Sequence, residues 1–186
     1  MHWERVRHLR PWRLPLRPLA CALLLVCTCR LPAQTSLEYQ VKAAFLLNFA
    51  KFVDWPPAAF TNSESPIAIC ILGKDPFGRA IDDLVQGEVV TGRKLIVRRI
   101  SQAPAAQTCQ IVFTEQTGKD TAELLSSLGP GVLTVGEGDD FVRQGGIIGF
   151  LIDSRHVRFD IDQKAAELAD LKLSSKLLAV ARAVQK

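Results

Sequence analysis

The feature that most constrains the fold is a series of short apolar runs, each separated from the next by a segment with helical spacing. Four of these runs have the length of a strand and lie at residues 66–72, 94–100, 109–114 and 131–135. Short apolar runs of this kind are typical of strands in a parallel sheet that is covered by helices on both faces. The pattern predicts an α/β fold, in which a single three-layer domain has a mostly parallel sheet flanked by helices.

Two further strands are predicted late in the chain, at residues 145–153 and 156–162. Both alternate apolar and polar side chains, and only Ser154 and Arg155 separate them. This spacing predicts an antiparallel β-hairpin and therefore a mixed edge to the sheet. Predicted helices lie between the strands at 76–85 and 121–128 and close the chain at 163–169 and 174–184.

The opening helix is predicted from Thr35 to Trp55. Thr35 and Glu38 have the spacing of a capping box, and Pro56 and Pro57 end the helix because proline lacks a backbone N–H. Three- and four-residue steps predict one buried stripe, with Glu38, Lys42 and Lys51 pointing elsewhere. The residues of that stripe are Leu37, Val41, Ala44, Phe45, Asn48, Phe49 and Phe52.

Residues 1–33 have the composition of a secretory signal peptide. Five arginines precede an apolar run from Leu19 to Cys29, which is too short to span a bilayer, and cleavage is expected near Ala33. An uncleaved N-terminal anchor is the alternative; acylation at Cys27 is disfavoured because Val26 stands where a small residue is required. The remaining residues, 34–186, would form one exported α/β domain.

The basic character of the whole chain belongs to this predicted signal. Residues 1–33 hold 6 of the 23 Lys and Arg residues and 1 of the 19 Asp and Glu residues, which leaves 17 basic and 18 acidic residues. A net charge near 17 − 18 = −1 gives no electrostatic reason to expect nucleic acid as a partner.

Two cysteines remain after the predicted signal, Cys70 in the first strand and Cys109 at the start of the third. Because exported proteins mature where thiols oxidise, we predict a Cys70–Cys109 disulfide. Two buried free thiols are the alternative.

The chain lacks the residue patterns of common catalytic sites. His156 is the only histidine after residue 33 and no G-x-S-x-G elbow accompanies it, so we predict neither an enzyme nor a cofactor or metal requirement. The carboxylate pairs Asp139/Asp140 and Asp160/Asp162 are interpreted as solvated turn and strand-face residues, although a hydrolase using Asp160 or Asp162 stays open. The acidic group at Glu137 lacks the regular ligand spacing of a calcium loop.

Three motifs carry a resemblance to a known family. EYQVKAAFLLNFAKFVDWP, CILGKDPFG and the closing GGIIGFLIDSRHVRFDIDQKAAELADLKLSSKLLAVARAV occur in order and span nearly all of the chain after residue 33. In these segments the chain resembles the periplasmic repressors typified by YfiR. Cys70 and Cys109 match the family's structural cysteine pair; a second pair that some members carry towards the hairpin is missing here.

The resemblance implies a periplasmic negative regulator without catalytic residues. It would bind the periplasmic sensor domain of an inner-membrane diguanylate cyclase and lower cyclic di-GMP synthesis, which favours motility over biofilm. A homodimer is implied, as is release of repression by an outer-membrane lipoprotein. The alternative is a periplasmic small-ligand-binding module that acts with a membrane sensor protein.

Partner-binding candidates are chosen for residue type, because aromatic residues and arginine dominate interface energetics. They lie in the loop after the first helix and around the hairpin: Trp55, Phe60, Phe141, Arg155, His156 and Arg158.

Overall fold

A computed structural model describes residues 36–116 and 118–186 of the chain. The predicted export signal and its cleavage site lie outside these residues. Across the described residues, no helix combines the length and the apolar composition needed to cross a membrane.

Seven α-helices occur in the described residues. They are α1 (Leu37–Phe52), α2 (Arg79–Val85), α3 (Ala103–Ala106), α4 (Lys119–Ser127), α5 (Asp139–Arg143), α6 (Gln163–Leu168) and α7 (Ser175–Val180). A 3₁₀ turn at Pro57–Ala59 follows the first helix.

Ten strands accompany them. They are β1 (Val53–Asp54), β2 (Ile67–Leu72), β3 (Val89–Val90), β4 (Arg93–Ile100), β5 (Ile111–Thr114), β6 (Leu133–Glu137), β7 (Ile148–Asp153), β8 (His156–Asp162), β9 (Lys172–Leu173) and β10 (Ala183–Gln185). Eight of the strands form one sheet in the order β10-β8-β7-β6-β5-β2-β4-β3, and β1 pairs with β9 separately. The β7–β8 and β3–β4 pairs are antiparallel, whereas the other pairs of the large sheet are parallel. The predicted three-layer α/β domain with a mostly parallel, mixed-edge sheet is confirmed.

Two hydrophobic clusters lie on opposite faces of the sheet. The larger cluster joins α1, α2 and α7 to the sheet through side chains such as Phe49, Ile81 and Leu177. At its centre Phe49 lies 5.8 Å from Phe150 and 5.1 Å from Phe159, measured between ring centroids. The smaller cluster packs α3 and α4 on the other face. Every residue of β2 is buried, as expected for a strand with covered faces.

The opening helix differs from its prediction at both ends. Ser36 is the N-cap, and its hydroxyl accepts a hydrogen bond from the Tyr39 backbone N–H, so the predicted Thr35 capping box is wrong by one residue. The helix ends at Phe52 instead of Trp55. Val53 and Asp54 leave it to pair with β9, which is a long-range contact that the local sequence does not indicate.

The buried face of α1 also differs. Its buried residues are Lys42, Ala43, Leu46, Phe49 and Ala50. By contrast, Leu37 is 75% exposed, Val41 37% and Phe52 36%, so the predicted stripe is wrong for these three apolar positions. Apolar side chains occur on nearly every side of this helix, and the periodicity therefore does not select one face.

The last predicted helix is shorter than expected. It ends at Val180, and the chain then forms β10, which lies parallel to β8. The Arg182 backbone N–H donates to the Phe159 carbonyl, and its guanidinium binds both carboxylate oxygens of Asp160 at 2.9 and 2.5 Å. These contacts to β8 favour an extended conformation over continued helix.

The predicted disulfide is present. Cys70 in β2 and Cys109, two residues before β5, are joined with their Cα atoms 6.0 Å apart. Both side chains are almost fully buried in the smaller cluster, beside Ala106 and Leu124. The bond therefore ties two neighbouring parallel strands together on the face that α3 and α4 cover.

Candidate functional site

A cavity of about 660 Å³ lies where β5, β6 and β7 end. Gln116 follows β5, Glu137 is the last residue of β6, and Leu151 and Ile152 lie near the end of β7. The first turns of α1 contribute Glu38 and Lys42 to the same cavity. Ligand sites of open α/β sheets lie at the carboxyl ends of the strands, and this cavity has that position and a volume suited to a small molecule.

A buried ion pair forms the floor of the cavity. Lys42 has a side chain that is only 1% exposed, and its ammonium donates to Glu38 at 2.5 Å and to both oxygens of Glu137 at 2.8 and 2.7 Å. The same nitrogen lies 4.6 Å from the centroid of the Tyr39 ring. A buried ammonium requires such partners, because an unpaired charge in the interior is strongly unfavourable.

Tyr39 extends this network to a third carboxylate. Its hydroxyl donates to Glu115 at 2.6 Å, and its ring meets Phe77 edge-on at a centroid distance of 5.5 Å. Burial and the hydrogen bond to Glu115 raise the pKa of Tyr39 well above its usual value, so the phenol keeps its proton.

Glu137 has a raised pKa although it binds Lys42. Burial is the main cause, and the negative charges of Glu38 and Glu115 act in the same direction, whereas the hydrogen bonds from Lys42 oppose them. The carboxylates of Glu38, Glu115 and Glu137 thus lie near a single ammonium group, that of Lys42, and negative charge exceeds positive charge in this network.

Glycines next to Phe141 form one wall of the site. A Cβ atom added to Gly136 or Gly146 would lie 2.1 Å from the Phe141 ring, so the ring fits only because both positions are glycine. The neighbouring Gln144 contributes a buried side-chain oxygen that has no hydrogen-bond partner among the described residues.

Three predicted partner-binding residues lie together at the hairpin turn. Arg155, His156 and Arg158 are all exposed. Ser154 and Arg155 form the turn with φ values of 48° and 65°, a left-handed conformation that glycine or asparagine adopts more easily. The turn lies beyond the carboxyl end of β7, so it is at the same end of the parallel strands as the cavity.

Trp55 and Phe60 lie at the opposite end of the parallel strands, where β5 begins. The Trp55 indole donates to the Gln110 carbonyl just before β5, and both side chains are partly buried against the larger cluster. Arg93 stacks over the Phe60 ring at 3.7 Å and donates to the Ser65 carbonyl, which fixes this loop. The structure therefore separates these two aromatics from the hairpin residues by the length of a strand.

Phe141 differs from the other candidates because it is 2% exposed. Its ring packs between Gly136 and Gly146, as described above, and in this conformation it has no surface to offer a partner.

The carboxylate pairs occupy different environments. Asp160 is buried and binds Arg182, so the prediction of a solvated strand-face residue is wrong at this position. Asp162 caps α6, because its carboxylate accepts a hydrogen bond from the Ala165 backbone N–H at 2.8 Å. Asp139 and Asp140 are exposed in the first turn of α5. Among residues 36–116 and 118–186, no group of three or more His, Cys, Asp or Glu side chains has an arrangement that could hold a metal ion.

Sequence reasoning missed the centre of the cavity. Lys42 was placed on the outer side of the helix, and Glu137 was considered only as a calcium ligand. The two residues are 95 positions apart, and no local pattern connects them. The one available sign was a lysine flanked by apolar residues in a strongly apolar helix, four residues after a glutamate.

A family model described as YfiR/HmsC-like matches residues 39–182, which is more than half of the chain. No curated protein matches the chain. The fold was also compared with solved structures, including a conserved domain protein from Vibrio cholerae O1 biovar eltor str. N16961, at 10% identity and a TM-score of 0.49.

That structural likeness covers 79% of this chain and 60% of the Vibrio cholerae chain. The sequence match spans most of α1, strands β1 to β9 and helices α2 to α7. The chain belongs to the YfiR/HmsC-like family.

Proposed function

We propose that the protein is a periplasmic negative regulator that binds the periplasmic sensor domain of an inner-membrane diguanylate cyclase and lowers cyclic di-GMP synthesis. The family match over residues 39–182 is the observation that carries the proposal. Membership of this family suggests a periplasmic regulator of cyclic di-GMP signalling, and its members regulate rather than catalyse. Export would depend on residues 1–33, cleaved near Ala33.

A regulator of this kind needs a stable scaffold and a surface that binds one state of its target. By binding the inactive state of the sensor domain more tightly than the active state, it would shift the population of the cyclase towards inactivity. The buried Cys70–Cys109 bond and the closely packed aromatic cluster supply the scaffold. The surface must come from exposed side chains on rigid elements.

The hairpin turn is the contact surface that we favour among the predicted candidates. His156 and Arg158 project from a paired strand and Arg155 from the two-residue turn before it, so little backbone order has to be gained on binding. Arg155 also keeps a backbone conformation that costs about 1 kcal/mol or more for a residue other than glycine. Backbone strain of this kind is concentrated at functional sites, which supports a binding role for this turn.

Trp55 and Phe60 would form a separate contact surface, since they lie at the opposite end of the parallel strands from the hairpin turn. The outer side of α1 offers a further apolar surface, because Leu37, Val41 and Phe52 are 75%, 37% and 36% exposed. In the implied homodimer, a second copy covering this surface would remove apolar area from water. The outer-membrane lipoprotein would compete with the cyclase for the repressor.

Cellular cyclic di-GMP tests the proposal. Deletion of the gene should raise its concentration, and a plasmid copy of the complete chain should restore it. A copy carrying Arg155→Glu and Arg158→Glu should fail to restore it at equal protein level. Lys94→Glu combined with Arg98→Glu, which reverses two exposed cations on β4, is the matched control and should complement fully.

The two parts of this proposal fail differently. If deletion leaves cyclic di-GMP unchanged while the protein is known to be made, the regulatory function is wrong. If deletion raises it but the double variant complements like the wild type, the regulator stands and the hairpin surface is wrong.

A further inference from the structure

The cavity at the ends of β5, β6 and β7 has features that binding to a cyclase does not require. It encloses about 660 Å³, which is in the usual range for sites that bind small organic molecules. One wall is apolar and comes from Leu151 and Ile152, with the fully buried Phe150 beneath them. The opposite wall is polar and comes from α1, the end of β6 and the first turn of α5.

The polar wall offers hydrogen-bond acceptors. Glu38 and Glu137 keep 40% and 22% of their side chains exposed, so carboxylate lone pairs remain available beside those that bind Lys42. Asp139 is exposed at the rim.

Three side chains on this wall already direct donors to acceptors within the protein. The three N–H groups of Lys42 are matched by three carboxylate oxygens, and the Thr121 hydroxyl donates to the Gln116 carbonyl at 2.7 Å. Arg143 forms an ion pair with Asp140 at the exposed rim. A molecule entering the cavity would therefore meet acceptors that need donors.

Charge favours the same kind of molecule. Four carboxylates line the cavity, from Glu38, Glu137, Asp139 and Asp140, against the two cations Lys42 and Arg143. With all groups ionised the excess is 4 − 2 = 2 negative charges. A ligand bearing a positive charge would reduce the mutual repulsion of the carboxylates, and an anionic ligand would increase it.

We propose that this cavity binds a small organic cation, in which an ammonium or guanidinium group meets Glu38 and Glu137 while an apolar body lies against Leu151 and Ile152. The site is distinct from the hairpin surface proposed for the cyclase and does not depend on it. It gives the protein a place where a periplasmic metabolite of this class can bind.

Isothermal titration calorimetry with three matched probes tests this proposal on the exported protein purified from cells that express the complete chain. The probes are 2-phenylethylamine, 2-phenylethanol and 3-phenylpropanoate, which share an aromatic body and differ in charge. The amine should bind at least about tenfold more tightly than the alcohol, equivalent to about 1.4 kcal/mol, and the carboxylate should not bind. High salt should weaken binding of the amine.

Variants locate the binding site. Glu38→Gln combined with Asp139→Asn should weaken amine binding about tenfold, and Asp139→Asn alone, at an exposed position, should weaken it by a smaller factor. Glu64→Gln combined with Asp83→Asn removes two exposed carboxylates outside the cavity and should leave the affinity unchanged. This control separates a local effect from a change in net charge.

Three results would overturn the proposal: no heat with millimolar amine, equal affinity for amine and alcohol, or equal affinity in the two double variants. None of these results bears on cyclic di-GMP, because the titration contains no cyclase. Conversely, failure of the gene deletion to change cyclic di-GMP leaves the binding result standing.

Discussion

Reduction of the Cys70–Cys109 disulfide should lower the free energy of unfolding by about 4 kcal/mol. The bond closes a loop with a sequence separation of 39, and loop-closure entropy for that length gives this value at room temperature. The Cα–Cα distance of 6.0 Å lies in the ordinary range, so the folded state should keep its packing after reduction. A loss of this size is a large share of the 5–15 kcal/mol typical of folded domains.

Urea unfolding of the exported protein, followed by far-ultraviolet circular dichroism with and without a phosphine reductant, measures this loss. The bond acts mainly on the unfolded chain, so reduction should move the midpoint to lower urea and also raise the m value, as the unfolded chain becomes more expanded. Reductant should not affect a Cys70→Ala/Cys109→Ala variant. This variant should be less stable than the reduced wild type, because both sulfur atoms lie in a buried cluster.

Two results would refute this reasoning. An unchanged midpoint in reductant, with the bond shown by peptide mapping to be broken, would mean that loop closure contributes nothing. A shift in the midpoint that also appears in the alanine double variant would mean that the reductant acts elsewhere.

Two further predictions concern the cavity wall. Gly146→Ala should lower the free energy of unfolding by about 1–3 kcal/mol, because the added Cβ would lie 2.1 Å from the Phe141 ring. Gly129→Ala is the control and should leave the free energy of unfolding unchanged, because its Cβ would have nothing within 4 Å. Equal urea midpoints for the two variants would contradict this prediction. Burial raises the pKa of Glu137 above 4.5, so its contribution to stability is full below about pH 4.5 and is lost as pH rises through the raised pKa. The free energy of unfolding of the wild type minus that of Glu137→Gln should therefore fall from acid to neutral pH, and a difference that grows would show that pairing with Lys42 dominates.

The sheet could be predicted because its determinants are local. Runs such as Ile67–Leu72 have strand length, β-branched residues and clear boundaries, and the hairpin is fixed by alternation on either side of Ser154 and Arg155. The disulfide followed from two cysteines placed next to buried strands. Each of these features depends on a few neighbouring residues, which is the range over which sequence patterns are informative.

The centre of the cavity could not be predicted because it depends on distant contacts. Lysine is among the residues least often buried, and Lys42 becomes an exception only through Glu137, which reaches it from the end of β6. β10 was missed for a similar reason: Arg182 is drawn to Asp160 on β8, while the local pattern around it is helical.

The order of the strands gives Tyr39 a particular place. From β2 the chain moves to β4 on one side and then to β5 on the other, so the connections diverge between β2 and β5. The crevice at such a divergence is where doubly wound proteins usually bind nucleotides and other ligands. Here Tyr39 fills that crevice. Its ring packs edge-on against Phe77, and its hydroxyl donates to Glu115. The first helix thus closes the usual binding crevice with one of the chain's own side chains, and the open cavity lies one strand further along the sheet.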